Sequence, residues 1–260
     1  MRRYFAIFKE GVKTAFAAAS TYRLNFFLEM VFILVSNILF PLVTILIYGS
    51  GNGFPGWSFY EVLLIQSAFL MSQGAAGMLA GGVLWVTMHY VVEGNFEIVL
   101  IKPVDPLFYL MAANFQVASV STVFGGAVLL AVALFNLPAV GISQIADFIV
   151  LFVAGVLVEL GISLIMSAMS FKWVANSRLP EIFDSIRSFG KYPLGIFPAA
   201  VRAAASFVIP VAMVGFFPAS VLLSRSEPYM YIAILPCIVF FILGTLLYRS
   251  MIRLYEGVGG

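Results

Sequence analysis

Of 260 residues, 62% are hydrophobic and only 10% are charged, with a mean hydropathy of +1.06. That composition excludes a soluble globule, and a formal charge of +2 carried by dispersed basic residues offers no stripe for nucleic acid. The single cysteine, Cys237, lies in an apolar run and excludes an internal disulfide.

Backbone groups in hydrocarbon must be satisfied within their own segment, so the expected class is all-α, a polytopic membrane protein. Residues 1–24 carry Arg2, Arg3, Lys9, Lys13 and Arg23, interleaved with Phe5, Phe8, Val12 and Phe16 at helical spacing. This predicts a helix lying at the inner membrane surface, although Ile7 departs from the Phe face. The apolar run 26–48 is too long for a signal-peptide core and reads as the first span. Residues 49–59 form a turn-rich loop without Lys or Arg, and Trp57 and Tyr60 fit an interfacial aromatic belt on the outside. The second span, 61–86, contains Gly77 and Gly81 in a GxxxG pair that permits close helix approach, to a second copy or within the chain.

Residues 89–106 (HYVVEGNFEIVLIKPVDP) are too short and too charged to cross, and Pro103 and Pro106 stop a helix there. A cytoplasmic segment with an amphipathic helix is expected. A third span at 107–135 follows, then an outer loop at 136–144 and a fourth span at 145–169. Glu159 lies about 18 Å along that helix from Asp147. As one helix, 193–223 would be about 46 Å long against a hydrocarbon core of about 30 Å. Pro198, Pro210 and Pro218 predict a broken, partly re-entrant element there instead. The last span, 229–248, ends in Arg249 and Arg253. Lys102 and Lys172 join the terminal cations on the inner side, whereas only Arg202 and Arg225 face out. The positive-inside rule then puts both termini in the cytoplasm with an even number of spans, most economically six.

Few residues could carry chemistry. His89 is the one histidine and lacks an Asp four residues on; no G-x-S-x-G elbow and no G-x-x-x-x-G-K-[ST] loop occurs. One His and one Cys cannot build a metal site. The chain is therefore expected not to be an enzyme, and any ATP is bound by another subunit. Glu159 must face a cavity, pair with a cation or be protonated, because an ionised carboxylate facing lipid would cost several kcal/mol. Arg178, Glu181, Asp184, Arg187 and Lys191 pose the same problem together. At about 2.5–3.5 kcal/mol each, full lipid exposure is excluded. Pairing at i, i+3 would reduce the penalty without removing it. Either a cytoplasmic amphipathic helix or a span buried at a subunit interface or water-filled path satisfies this; periodicity alone favours the first.

Three segments in this order resemble a known family: EGNFEIVLIKPVDPLFYL after the second span, KYPLGIFPAAVRAAASFVIPVAMVGFFPAS before the last, and LYEGVGG after it. The chain resembles the type 2 ATP-binding cassette exporter permeases, in the small six-span bacterial and archaeal branch. The resemblance implies that two permeases pair, as homo- or heterodimer, and that each docks on a separate ATPase subunit holding ATP and Mg. The coupling role maps onto Glu93, Phe96, Glu97 and Leu100, with Lys9 and Lys13 of the N-terminal helix. It also implies a fifth span at about 174–194 and a re-entrant segment at 198–223 within one transmembrane domain, 25–260. Glu159, Arg178, Glu181, Asp184 and Arg187 then border the pathway or the dimer interface. An apolar or amphipathic substrate leaving the cytoplasm is the expected cargo. The alternatives are an ion-coupled secondary carrier centred on Glu159 and a membrane-embedded scaffold subunit.

Overall fold

The computed structural model describes residues 2–51, 53–173 and 178–255, and every described element is helical. Residues 174–177, at the start of the expected fifth span, and 256–260, in the LYEGVGG motif, lie outside the described residues. Among those described, four stretches are long and apolar enough to cross a membrane. They are α2 (Arg23–Gly49), α3 (Phe59–Val92), α7 (Ile142–Met169) and the run Pro228–Ile252. That last run comprises α11 (Pro228–Ile232) and α12 (Ile234–Ile252). The apolar helix α6 (Ser119–Phe135) is shorter, with 17 residues.

Helix α3 is central, packing along α6 and α7, while α12 packs along α7. It begins with a capping box: the Ser58 N–H donates to Glu61 Oε2 at 2.7 Å, and the Glu61 N–H donates to Ser58 Oγ at 3.4 Å. It ends in a glycine motif, because Gly94 takes φ +69° and the Asn95 N–H reaches back to the Tyr90 carbonyl at 2.8 Å. The helix therefore runs six residues past the expected end at 86 and takes in His89, which pairs with Glu93 at 3.3 Å. Of the amphipathic helix expected in 89–106, only α4 (Glu97–Leu100) forms. Two apolar cores line α3. Ile65, Phe69, Leu151, Val158, Met213 and Phe217 surround its N-terminal half; Ala76, Ala80, Leu110, Leu164 and Tyr248 surround its C-terminal half.

The expected third span is divided into α5 (Pro106–Ala113) and α6. Asp105 caps α5 by accepting from the Phe108 N–H at 3.0 Å, with Pro106 in the first turn. After Ala113 the chain turns toward α3, where the Gln116 N–H donates to the Met78 carbonyl at 3.1 Å. Helix α6 then crosses α3 at backbone contact: a Cβ on Gly74 would lie 2.8 Å from Val123 N, and one on Gly126 2.9 Å from Met71 N.

The apolar stretch after residue 193 is not one helix. The chain runs through α8 (Leu179–Ser188), 3-10 turns at Phe189–Lys191 and Leu194–Ile196, and α9 (Ala199–Ala203). A π turn at Ala204–Val208 and a 3-10 turn at Val211–Met213 lead into α10 (Phe216–Leu222). The turn at Met213 packs against Gly155 of α7, and Gly215 meets the carbonyls of Gly190 and Ile65. Helix α10 then returns to the start of α7, where Gln144 Nε2 donates to the Leu222 carbonyl at 3.2 Å and to Ser224 Oγ at 2.6 Å. All of α10 is buried, so this hairpin belongs to the core.

Candidate functional site

Two groups of residues carry candidate functions. The first is the turn after α3. Glu93, Glu97, Ile98, Leu100 and Ile101 are exposed there, an apolar patch edged by two carboxylates. Phe96, expected to share that surface, is 0% exposed and has nothing to offer a partner directly. It is the anchor of the turn. Its ring packs edge-on against Phe171 at 4.9 Å and near Tyr255 at 5.4 Å, and its N–H donates to Tyr255 Oη at 3.3 Å. Phe171 in turn packs on Tyr248 at 5.6 Å, and Tyr248 Oη hydrogen-bonds Thr87 Oγ1 at 2.9 Å. One aromatic cluster thus joins the turn to the C-terminal ends of α3, α7 and α12. Arg249 adds a second tie, meeting Asp105, the cap of α5, at 3.1 Å. Ile98 and Ile101 escaped sequence reasoning, since apolar residues in an apolar chain give no signal until the buried side of the turn is known.

Lys9 and Lys13 lie on the exposed face of α1 (Arg2–Thr21), Lys13 beside Glu10 at 3.7 Å. The other face of α1 meets α5 and the turn after it, through Tyr4 on Phe108 at 4.8 Å and Phe8 near Phe115 at 6.2 Å. Gly77 and Gly81 face this same chain: a Cβ on Gly77 would meet Ser119 Oγ at 2.9 Å, and one on Gly81 would collide with the Gln116 amide. The GxxxG face is therefore occupied by the start of α6 and is closed to a second copy.

The second group is an ion cluster whose members the family resemblance set together at the pathway or interface without pairing them. Glu159, 2% exposed near the middle of α7, faces Arg187 of α8, whose side chain is 13% exposed; Arg187 Nε and Glu159 Oε2 are 3.4 Å apart. Arg187 Nη1 donates to Asp184 Oδ1 at 3.1 Å, and Nη2 to Met166 Sδ at 3.4 Å. The pair is offset rather than bidentate, since Glu159 Oε1 and Arg187 Nε have no well-aligned hydrogen-bond partner. Lys191 completes the group from the next turn, its Nζ 4.9 Å from the centre of the Phe69 ring. The charged stretch is thus divided by direction. Arg187 turns inward to Glu159, whereas Arg178, Glu181 and Asp184 are on the exposed side of α8 with Ile182.

A third contact has no counterpart in the sequence reading. Arg225 reaches across the fold to Glu61 Oε1 at 2.7 Å and to the Gly56 carbonyl at 3.2 Å, with its guanidinium 4.4 Å from the Trp57 ring centre. It ties the loop after α10 to the capping box of α3.

Neither the curated proteins nor the solved structures contain a match to this chain. Residues 31–259 match the family described as ABC-2 family transporter protein. That span takes in the turn after α3, the ion cluster, most of α2 and the other three long apolar stretches, so the protein is a multi-pass membrane permease component. The chain belongs to the ABC-2 transporter family.

Proposed function

We propose that this chain is the membrane permease of an ATP-binding cassette exporter, moving an apolar or amphipathic substrate out of the cytoplasm. ATP and Mg sit on a separate ATPase subunit, and two permeases assemble side by side. The chain itself performs no chemistry. The observation that carries this reading is the turn after α3: an exposed surface of Glu93, Glu97, Ile98, Leu100 and Ile101 set on the buried Phe96. A push on that surface reaches α3, α7 and α12 together, because Phe96, Phe171, Tyr248 and Tyr255 form one contact chain. Motion of an ATPase subunit would in this way alter the packing of three membrane helices in one step.

In this reading six segments cross the bilayer, the fifth being α8 with the turns after it, while 198–223 enters and leaves on one side. Both termini are cytoplasmic. The exposed Arg178, Glu181 and Asp184 then cannot face lipid, where each charge would cost about 2.5–3.5 kcal/mol. They border the pathway or the second permease. A proton- or ion-coupled carrier is not favoured, since Glu159 is engaged by Arg187. The test is co-purification of the ATPase subunit with the wild-type chain and with a Glu97→Arg, Ile98→Asp variant. The variant should fold and reach the membrane yet lose the ATPase; full retention of the ATPase would overturn the docking assignment.

A further inference from the structure

The segment between α8 and α10 borders a cleft that the reading above does not use. Its volume is about 470 Å³, in the range of small-molecule sites. Trp57, Phe207, Phe216 and Tyr229 give it four rings, and Arg202 of α9 is the one charged residue in its lining. That charge is uncommitted. Arg202 stands in the run AAVRAAAS, which holds no acidic residue, and among the described residues its guanidinium makes no ion pair and no hydrogen bond. Glu227 and Arg202 both act electrostatically on Tyr229, yet the two do not pair with each other. The other cation of this region is already taken: Arg225 stands 4.4 Å over the Trp57 ring but is bound to Glu61 at 2.7 Å. The Ser206 hydroxyl is taken as well, donating to the Arg202 carbonyl at 2.8 Å. An unpaired cation beside four rings, in a segment that enters the membrane, has a desolvation cost that a bound anion would offset. There is room for one, since alanines at 199 and 203 line the cleft and a Cβ on Gly195 would meet nothing within 4 Å.

We propose that this cleft binds the acidic headgroup of an amphipathic cargo, with Arg202 pairing the acid and the four rings covering the first carbons of its chain. A guanidinium suits phosphate or carboxylate because its planar fork gives two parallel hydrogen bonds. Aromatic rings bury alkyl carbon while Tyr229 adds a hydroxyl that has no hydrogen-bond partner among the described residues. The assignment of the ligand as cargo rests on the exporter reading above, in which 198–223 enters and leaves on the outer side and cargo meets Arg202 after crossing. The substrate class narrows accordingly from apolar or amphipathic to anionic amphipathic.

Trp57 is a native reporter of the cleft once Trp85 and Trp173 are replaced by Phe. The full-length chain in phosphatidylcholine nanodiscs is titrated with bromododecyl phosphate, bromododecanol and bromododecyltrimethylammonium, whose bromine quenches tryptophan fluorescence on contact. The phosphate should quench at about tenfold lower concentration than the alcohol or the cation, the worth of one charge-assisted hydrogen bond. Arg202→Gln should remove that advantage and Arg202→Lys should retain part of it. Gly195→Phe, which keeps the charge and fills the rim, should weaken quenching by the phosphate. Equal quenching by phosphate and alcohol, or an advantage that survives Arg202→Gln, would overturn the proposal. Loss of the advantage when phosphatidylglycerol is added to the nanodisc would assign the cleft to a resident phospholipid and overturn the cargo assignment. In the complex with its ATPase subunit, bromododecyl phosphate should also stimulate ATP hydrolysis, and binding without stimulation would overturn that assignment too. The quenching needs no ATPase, so its failure is distinct from failure of the permease reading, which co-purification tests.

Discussion

Removing Arg187 should be among the most damaging single changes in this protein. Arg187→Met keeps a long apolar stem against Met166 but leaves the carboxylate of Glu159, 2% exposed, without its nearest cation. Removing one partner of a buried ion pair costs about 3–5 kcal/mol. Two features place the cost at the lower end: the Nε to Oε2 approach is offset at 3.4 Å, and Lys191 also acts electrostatically on Glu159. A loss of about 3 kcal/mol corresponds to roughly a hundredfold fall in the folded ratio. Glu159→Leu leaves a guanidinium that still has Asp184 at 3.1 Å, and should cost less. The double variant Glu159→Leu, Arg187→Met replaces the pair by apolar groups and should be more stable than Arg187→Met alone, since such replacements are often neutral. Denaturant titration in detergent micelles, followed by tryptophan fluorescence, supplies the double-mutant cycle. A coupling energy of about 2 kcal/mol is expected, well above the scatter of independent sites. Strictly additive single costs would refute the claim that the pair supports α8 on α7.

Phe96→Ala should destabilise the protein by about 3–5 kcal/mol through the cavity left among Phe171, Tyr248 and Tyr255, measured in the same titration. An unchanged midpoint would show that the turn is not anchored by this ring. Asp184→Cys, on the exposed side of α8, should react with a water-soluble maleimide in the isolated chain and be protected in the assembled transporter. Native Cys237 is buried and leaves a quiet background. Equal labelling before and after assembly would remove α8 from the subunit interface.

Much of the architecture was legible because its causes are local. The runs at 26–48 and 145–169 fall inside α2 and α7 because continuous apolar length decides them. The break between α5 and α6 was not legible: nothing in 114–118 forbids a helix, and the turn is held by Met78 of another helix. The C-terminal end of α3 was misjudged for a related reason. Its last turns carry His89 and Tyr90, polar enough to resemble a loop, yet they continue a helix whose other faces pack on the Tyr248 core.

The candidate site divides along the same line. Glu159 and the charged stretch stood out in the sequence, because charge in an apolar chain has a large penalty and must be explained. That Arg187, and not its four charged neighbours, answers Glu159 depends on how α8 turns against α7. Phe96 shows the converse, since its place among the coupling residues came from the family resemblance alone. Its burial follows from Phe171, Tyr248 and Tyr255, up to 159 residues away. By itself, then, the sequence determined the solvent this protein lives in, the segments apolar enough to cross and the charges needing partners, for transfer free energy is summed residue by residue. Tertiary structure alone decided which partner each charge took and which side of the turn after α3 faced outward. Those outcomes depend on the directions of side chains from elements far apart in the chain, which no local sum contains.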